Sequence, residues 1–462
     1  MAMLPEIILL VLAFTVLIAD LFIPLPRMRE LGPVFCLIGL GMALVALWVL
    51  PHKASLLGGR FVMDEITWWF KLVFLVAGFL VVGLSTDLIG GRVKQTDETL
   101  DSPSEFLTVM LFTLVGMLYL VSSRDIVTMY VSLELSTLPL FVLVAWRKGN
   151  KLSEEAGIKY FITGALASAF MIYGLGLIYG VTGTMDLNSL SLGIATNHIA
   201  WVGLALVTAG AGFKLTLVPF HMWAADVYQG AHTLVTAFLS VASKAAGIAV
   251  FFHLYLRVFP DLMFDWSPVL ALVAFSTMTF GNLVAMVQDN IKRFMAFSSV
   301  SQAGYILMGF LGPTQEGIQA ILFYLLVYAF SNLAVFGVII AYSSSTGKEL
   351  ISQYRGLSRV HPILALVMML ALFSLAGIPP LSGFTGKFFL FSAAAKAGYY
   401  WLVIAAAVNS TLSLYYYLRL VRQMYIEPVG VVGEKVEMSF IPRMTLGLSI
   451  VGTVLLGIIP VF

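Results

Sequence analysis

Residues 211–247 read AGFKLTLVPFHMWAADVYQGAHTLVTAFLSVASKAAG. The flanking apolar runs are long enough to cross a bilayer, yet this stretch holds Lys214, His221, Asp226, His232 and Lys244. It also holds Pro219, five residues after the first lysine, where a helix has to break. Charged groups at membrane depth are costly and mark functional sites by default. Transporters keep their ion sites beside helices broken in this way.

Composition agrees with a membrane setting. Of the 462 residues 60% are hydrophobic and 11% charged, and mean hydropathy is +0.97. A soluble domain is about 25% charged, so the chain reads as an all-α polytopic membrane protein. A net charge of +2 points to no nucleic-acid partner. The single cysteine, Cys36, can neither bind an iron–sulfur cluster nor close a disulfide within the chain. Pro5 and Glu6 stand where the basic start of a cleavable signal is expected, so none is expected.

Apolar runs of about 20 residues recur fourteen times, from 6–24, 31–50 and 68–88 through to 399–421 and 441–461. Sixteen of the 26 Lys and Arg, Arg92, Lys94 and Lys435 among them, fall in loops after odd-numbered runs. Only five fall in loops after even-numbered runs. The positive-inside rule then puts the odd loops in the cytoplasm and both termini on the outer, periplasmic side. Two runs are too long for one straight helix. At 1.5 Å per residue, 199–228 would extend roughly 45 Å and 362–395 roughly 51 Å, against a hydrocarbon core of about 30 Å. Pro219 interrupts the first, and Pro379 and Pro380 the second. Both are expected to be discontinuous helices, with the freed backbone groups satisfied by neighbours.

The broken runs are the seventh and twelfth. That spacing suggests two five-helix units, 105–258 and 267–421, preceded by a three-helix segment, 1–104, and followed by a C-terminal helix, 422–462. With an odd number of helices per unit, the second repeat is inverted relative to the first. Gly174, Gly176 and Gly180 lie inside an apolar run, where small residues let helices approach closely.

Four charged residues fall near mid-membrane or beside a break: Glu134, Lys214, Lys244 and Lys387. Static salt bridges or snorkelling would explain one of them more readily than all four. A proton relay needs groups of this kind. Burial makes a lysine give up its proton more readily, and a nearby carboxylate opposes that. A Glu134–Lys214 pair would act as such a couple. Lys159 suits an interfacial anchor, His221 a supporting proton carrier, and Asp226 a cap or gate at the cytoplasmic end. His253 reads as structural. Tyr324 and Tyr328 suit packing or a water wire.

The motifs GFKLTLVPFHMW and DVYQG, with SLELSTLPLF, EEAGIKYFITGALASAF, DNIKRFMAFSSVSQAGY and SLAGIPPLSGFTGKF, resemble the antiporter-like membrane subunits of respiratory complex I. The resemblance covers essentially the whole chain and fits the N type. The M type usually has glutamate where this chain has Lys387, and the L type adds a long lateral helix. The resemblance implies a proton-translocating, non-redox subunit of a bacterial inner-membrane NADH:quinone oxidoreductase. Glu134, Lys214, Lys244 and Lys387 would form the relay, and Lys159 would support it. It implies M-type and K-type neighbours and surrounding membrane lipid. NADH, FMN, iron–sulfur clusters and quinone would be bound in other subunits, with no cofactor or metal in this one. Alternatives are a subunit of a multisubunit cation/proton antiporter or membrane-bound hydrogenase, or a structural spacer with static charges. One departure stands out: His232 follows Gln229-Gly230-Ala231, where the family usually has proline, which puts the turn before the next helix in question.

Overall fold

The computed structural model describes residues 2–91, 100, 102–190, 197–259, 262–312, 315–428 and 436–460, without the side chains of Met263 and Phe264. Arg92, Lys94 and Lys435, used above for orientation, lie outside the described residues. Helices α1 (Leu4–Phe22) and α2 (Leu25–Val49) lead into a two-stranded antiparallel hairpin, β1 (Ala54–Leu56) and β2 (Phe61–Met63). Then come α3 (Glu65–Ile89), α4 (Pro103–Ser122), α5 (Ile126–Val144) and α6 (Lys151–Thr182). The broken segment is α7 (His198–Leu215) with α8 (Ala224–Gly230). Next, α9 (Thr233–Phe238) and α10 (Lys244–Phe251) are joined by a π-helical turn over Leu239–Ser243. Further along are α11 (Met263–Ala285), α12 (Ile291–Leu307), α13 (Gln315–Thr346) and the short α14 (Leu357–Val360). The second broken segment is α15 (Pro362–Ala376) with α16 (Ser382–Lys396), followed by α17 (Tyr400–Tyr425) and α18 (Phe440–Ile458).

Helix is the form that satisfies backbone polar groups within one segment, which lipid demands. Among the described residues, twelve helices are long and apolar enough to cross a membrane. Two of the fourteen apolar runs lack a single helix of that length. The tenth run ends α12 after 17 residues in a tighter 3₁₀ turn, Met308–Phe310, and the twelfth is split at its prolines. Hydrophobicity all round a helix indicates burial on every side. The Thr233–Val258 segment is wholly enclosed and α13 nearly so, whereas α1, α6 and α18 turn wide faces outward. The charged α10 and the tyrosine-bearing α13 therefore form the interior of the bundle.

Both breaks form where the prolines forecast them. Thr216 ends α7 in the left-handed region at φ 59, and the Val218–Pro219 bond is cis. Trp223 Nε1 donates to Phe213 O at 3.0 Å, and Val218 N to Thr277 Oγ1 at 3.1 Å. The first adds a donor to a terminal carbonyl that also accepts from Thr216 N at 3.0 Å, and the second gives a loop N–H beyond the helix end a partner. At the second break Gly377 takes φ 91 and the Pro379–Pro380 bond is cis. Gly383 N donates to Ser374 Oγ at 3.0 Å. A Cβ at 383 would lie 1.7 Å from the Ser374 carbonyl oxygen, so the start of α16 rests directly on the end of α15. Gly383→Ala is expected to destabilise the chain by about 3 kcal/mol or more, read as loss of assembled protein on native gels. Unchanged assembly and melting would show that this seat is looser than its geometry.

Glycine spacing in α6 reads differently in three dimensions. A Cβ on Gly174 would meet the Gly203 carbonyl at 2.6 Å, so α6 and α7 touch backbone to backbone there. Gly176 and Gly180 have nothing within 4 Å of that position, because they face away from α7.

At the hairpin end, Asp64 caps α3 through the Thr67 N–H at 2.8 Å. Its carboxylate also accepts from Arg124 at 2.8 Å and Arg257 at 2.7 Å. Burial alone would raise its pKa, but Arg257, Arg124 and the Thr67 N–H together hold it well below the usual carboxylate range. This clamp ties α3, the α4–α5 corner and the segment after α10 at one end of the bundle.

Candidate functional site

Lys214, the penultimate residue of α7, is 5% exposed. Its Nζ donates to Ser136 Oγ at 2.9 Å and to Thr137 Oγ1, both on α5. Glu134 lies one turn earlier on α5, half-buried, and accepts from Ser168 Oγ of α6 at 2.6 Å. The expected Glu134–Lys214 ion pair is therefore absent among the described residues. Positions three apart share a helix face, so the lysine meets hydroxyls one turn beyond the carboxylate, and the carboxylate turns to α6.

From the first break the polar line continues inward. Thr216 Oγ1 accepts from Lys244 Nζ at 2.9 Å, and Lys244 also donates to the Ser299 carbonyl of α12. Lys244 is 2% exposed and directly follows the π-helical turn, a feature that recurs at functional sites. Ser299 Oγ bonds the Tyr328 hydroxyl of α13 at 2.8 Å. The neighbouring Ser298 Oγ meets the Tyr417 hydroxyl of α17 at 2.5 Å. Gln302, one turn along α12, donates to Tyr417 at 3.3 Å and accepts from Tyr324. Gly386 packs on the Tyr324 ring, and the next residue is Lys387.

Lys387 is 3% exposed. Its Nζ donates to the Ala376 carbonyl, freed by the second break, at 3.0 Å and to Ser410 Oγ at 3.1 Å. It also lies 4.5 Å from the centroid of the Tyr305 ring. A cavity of about 280 Å³ opens on it between Gly377, Phe384, Phe388 and Thr411. Among the described residues, none of Lys214, Lys244 and Lys387 makes an ion pair. Three buried cations thus rest on hydroxyls, carbonyls and one aromatic face along a single interior line.

The supporting residues separate into two groups. Asp226 bridges Lys159 at 2.5 Å and Arg293 at 2.7 Å, and Lys159 also reaches Glu155 at 2.6 Å. Arg293 further donates to Gln229 at 3.1 Å. These residues form a charged lattice around α8, and among the described residues no hydrogen bond joins it to Lys214, Lys244 or Lys387. His221 sits in the first break with its ring edge-on to Phe280, 4.5 Å between centroids. No hydrogen bond among the described residues joins it to Lys214 or Lys244. His232 is wholly buried. Its φ of −56 is one that proline would adopt, so the turn keeps its geometry without proline. Its Nδ1 accepts from Leu234 N at 3.2 Å, capping α9. His253 bonds the Leu120 carbonyl through Nε2 at 3.2 Å, which suits its structural reading.

Sequence reasoning passed over Ser136, Thr137, Thr216, Ser299, Gln302, Ser410 and Tyr417. The cluster Ser298-Ser299-Val300-Ser301-Gln302 was an available signal, since five residues with four polar ones are unusual inside an apolar run.

Residues 123–413 match a family model described as NADH:quinone oxidoreductase/Mrp antiporter, transmembrane. The chain is 39% identical to NADH-quinone oxidoreductase subunit N of Trichlorobacter lovleyi, over 99% of this chain and 93% of that protein. It is 42% identical to the subunit N of Azobacteroides pseudotrichonymphae, over 90% and 87% of the two chains. Its fold matches a chain of respiratory complex I from Thermus thermophilus with a TM-score of 0.83, 32% identity, and coverage of 99% and 97%. A chain of the Mrp complex from Dietzia matches with a TM-score of 0.85, 24% identity, and coverage of 98% and 94%; that likeness concerns the fold alone. With the buried lysines and both helix breaks inside the matched region, the chain belongs to the NADH:quinone oxidoreductase/Mrp antiporter transmembrane family, among its subunit N members.

Proposed function

We propose that this chain is the proton-translocating, non-redox subunit of a bacterial inner-membrane NADH:quinone oxidoreductase. It crosses the membrane fourteen times, keeps both termini on the periplasmic side, and contains two inverted five-helix units at 105–258 and 267–421. Its neighbours are an M-type antiporter-like subunit and a K-type small subunit. Other subunits bind NADH, FMN, iron–sulfur clusters and quinone, and carry out the redox chemistry.

The observation that supports this reading best is the line of three buried lysines, none with an ion-pair partner among the described residues, on two broken helices and the helix between them. Each lysine has a second polar partner to which its hydrogen bonds can shift. In the proposed cycle, quinone reduction elsewhere alters the charge or position of Glu134, which changes how strongly Lys214 holds its proton. Lys244 receives protons loaded from the cytoplasm, near the Asp226 lattice. The proton then follows the Ser298–Tyr417–Gln302–Tyr324 hydroxyl and amide line and leaves at Lys387. Raising one charge through the membrane potential costs about 2.3 kcal/mol per 100 mV. A change of one to two units in a relay group's proton affinity supplies about 1.4 to 2.8 kcal/mol, enough to matter.

Kinship with named subunit N proteins favours this reading over a cation/proton antiporter or hydrogenase subunit. Lys214→Ala in the assembled enzyme tests it against a static spacer. Protons released per quinone reduced, measured with a pH-sensitive dye in vesicles, are expected to fall, or turnover is expected to fall with them. Normal quinone reduction with full proton release would overturn the relay.

A further inference from the structure

One cleft lies apart from the lysine line. It is a space of about 790 Å³ between the start of α4, the end of α5 and the start of α6, near the top of the roughly 300–1,000 Å³ range of ligand pockets. Its lining is divided along its length. Ser102 and Glu105 of the α4 start, Lys148 of the α5–α6 loop, and Glu154 in the first turn of α6 form one end. Val142, Ile158 and Phe161, all outward-facing, form the other. Trp146, between Val142 and Lys148 in the chain, also lines the cleft, and tryptophan is enriched at membrane–water boundaries.

We propose that this cleft holds one phospholipid with a zwitterionic, primary-ammonium headgroup, of the phosphatidylethanolamine class. Its acyl chain lies along Val142, Ile158 and Phe161. Its phosphate meets the Lys148 ammonium and the backbone N–H groups of Ser104 and Glu105, the two that the first turn of α4 leaves for it: Pro103 has none, Phe106 N donates to Ser102 O at 3.1 Å, and the helix has no side-chain cap. The headgroup ammonium lies between the Glu105 and Glu154 carboxylates. Charge selects the headgroup. One cation with two carboxylates repels a lipid of net negative charge. A primary ammonium donates hydrogen bonds to carboxylates, which a quaternary ammonium cannot do.

Photocrosslinking of the assembled complex tests the site, in vesicles containing equal fractions of phosphatidylethanolamine, phosphatidylcholine and phosphatidylglycerol. One of the three carries a diazirine acyl chain in each experiment. Labelling by the phosphatidylethanolamine probe is expected on peptides spanning residues 141–161, exceeding the other two by about threefold, the effect of one modest ion pair. Glu105→Gln with Glu154→Gln should erase the preference over phosphatidylcholine while leaving labelling in place. Ile158→Trp, which fills the apolar half, should remove labelling by all three probes. The charge variants alter exposed groups, so assembly checked on native gels should be unchanged. Equal labelling of the wild type by all three lipids would overturn the headgroup assignment. No labelling of these peptides by any of the three lipid probes would overturn the site. Neither result bears on the lysine relay, whose test is proton release.

Discussion

Lys244→Met is expected to leave the complex assembled but to reduce coupled proton release by about 10²-fold, the usual contribution of a positioned proton-transfer group. Methionine matches lysine's length and fills the same buried space without a titratable atom. The more telling variant is Lys244→Arg. If Lys244 served only as a fixed charge holding Thr216 and the Ser299 carbonyl, arginine would replace it, being cationic with more donors. If the residue must release its proton in each cycle, arginine fails, because a guanidinium does not deprotonate in a protein. Proton release and quinone reduction measured together on both variants separate the two roles. Recovery of wild-type proton yield by Lys244→Arg would sink the relay at this position while leaving a structural cation intact.

The framework was legible because lipid leaves a chain few choices. A bilayer forces spanning segments into helices, and proline forces a break. Reading 199–228 and 362–395 as interrupted thus came within a few residues of α7–α8 and α15–α16. The burial of Lys214, Lys244 and Lys387 was also forecast by their position in apolar runs. What could not be read was which groups meet across helices. Glu134 and Lys214 looked like partners by charge, yet the lysine rests on Ser136 and Thr137 and the glutamate on Ser168. Rotation of each helix about its own axis decides such pairings, and hydrophobic periodicity is weak evidence for rotation in a bundle that is apolar on nearly every face. The π-helical turn before Lys244 was invisible for a related reason: LSVAS contains no residue that requires it. In the sequence Glu6 is an acidic residue opening the first apolar run, and nothing there links it to Lys71, 65 positions on. The fold joins them.

Glu6 and Lys71 form an ion pair at 2.6 Å with both side chains at 0% exposure. It links the first turn of α1 to α3, with the Lys71 Nζ 4.7 Å from the Phe61 ring centroid in the hairpin. Breaking such a pair from one side leaves an uncompensated charge in an apolar interior, which costs about 3–5 kcal/mol. Lys71→Met and Glu6→Gln are each expected to reduce assembly strongly, and Lys71→Met more so, because it strands a carboxylate. Combining them removes both charges, and replacing a buried pair by neutral groups of similar volume is close to neutral. The double variant should therefore recover most of the stability that either single one loses. The coupling between the two positions would then far exceed the roughly 0.3–0.5 kcal/mol scatter expected of independent sites. Melting temperature and native-gel yield of the four proteins in the cycle measure it. Additive losses would mean that the two side chains act separately and that this pair does not hold α1 to α3. Recovery in the double variant would assign the pair a registering role: it stabilises little in itself, but it makes every arrangement that separates α1 from α3 expensive.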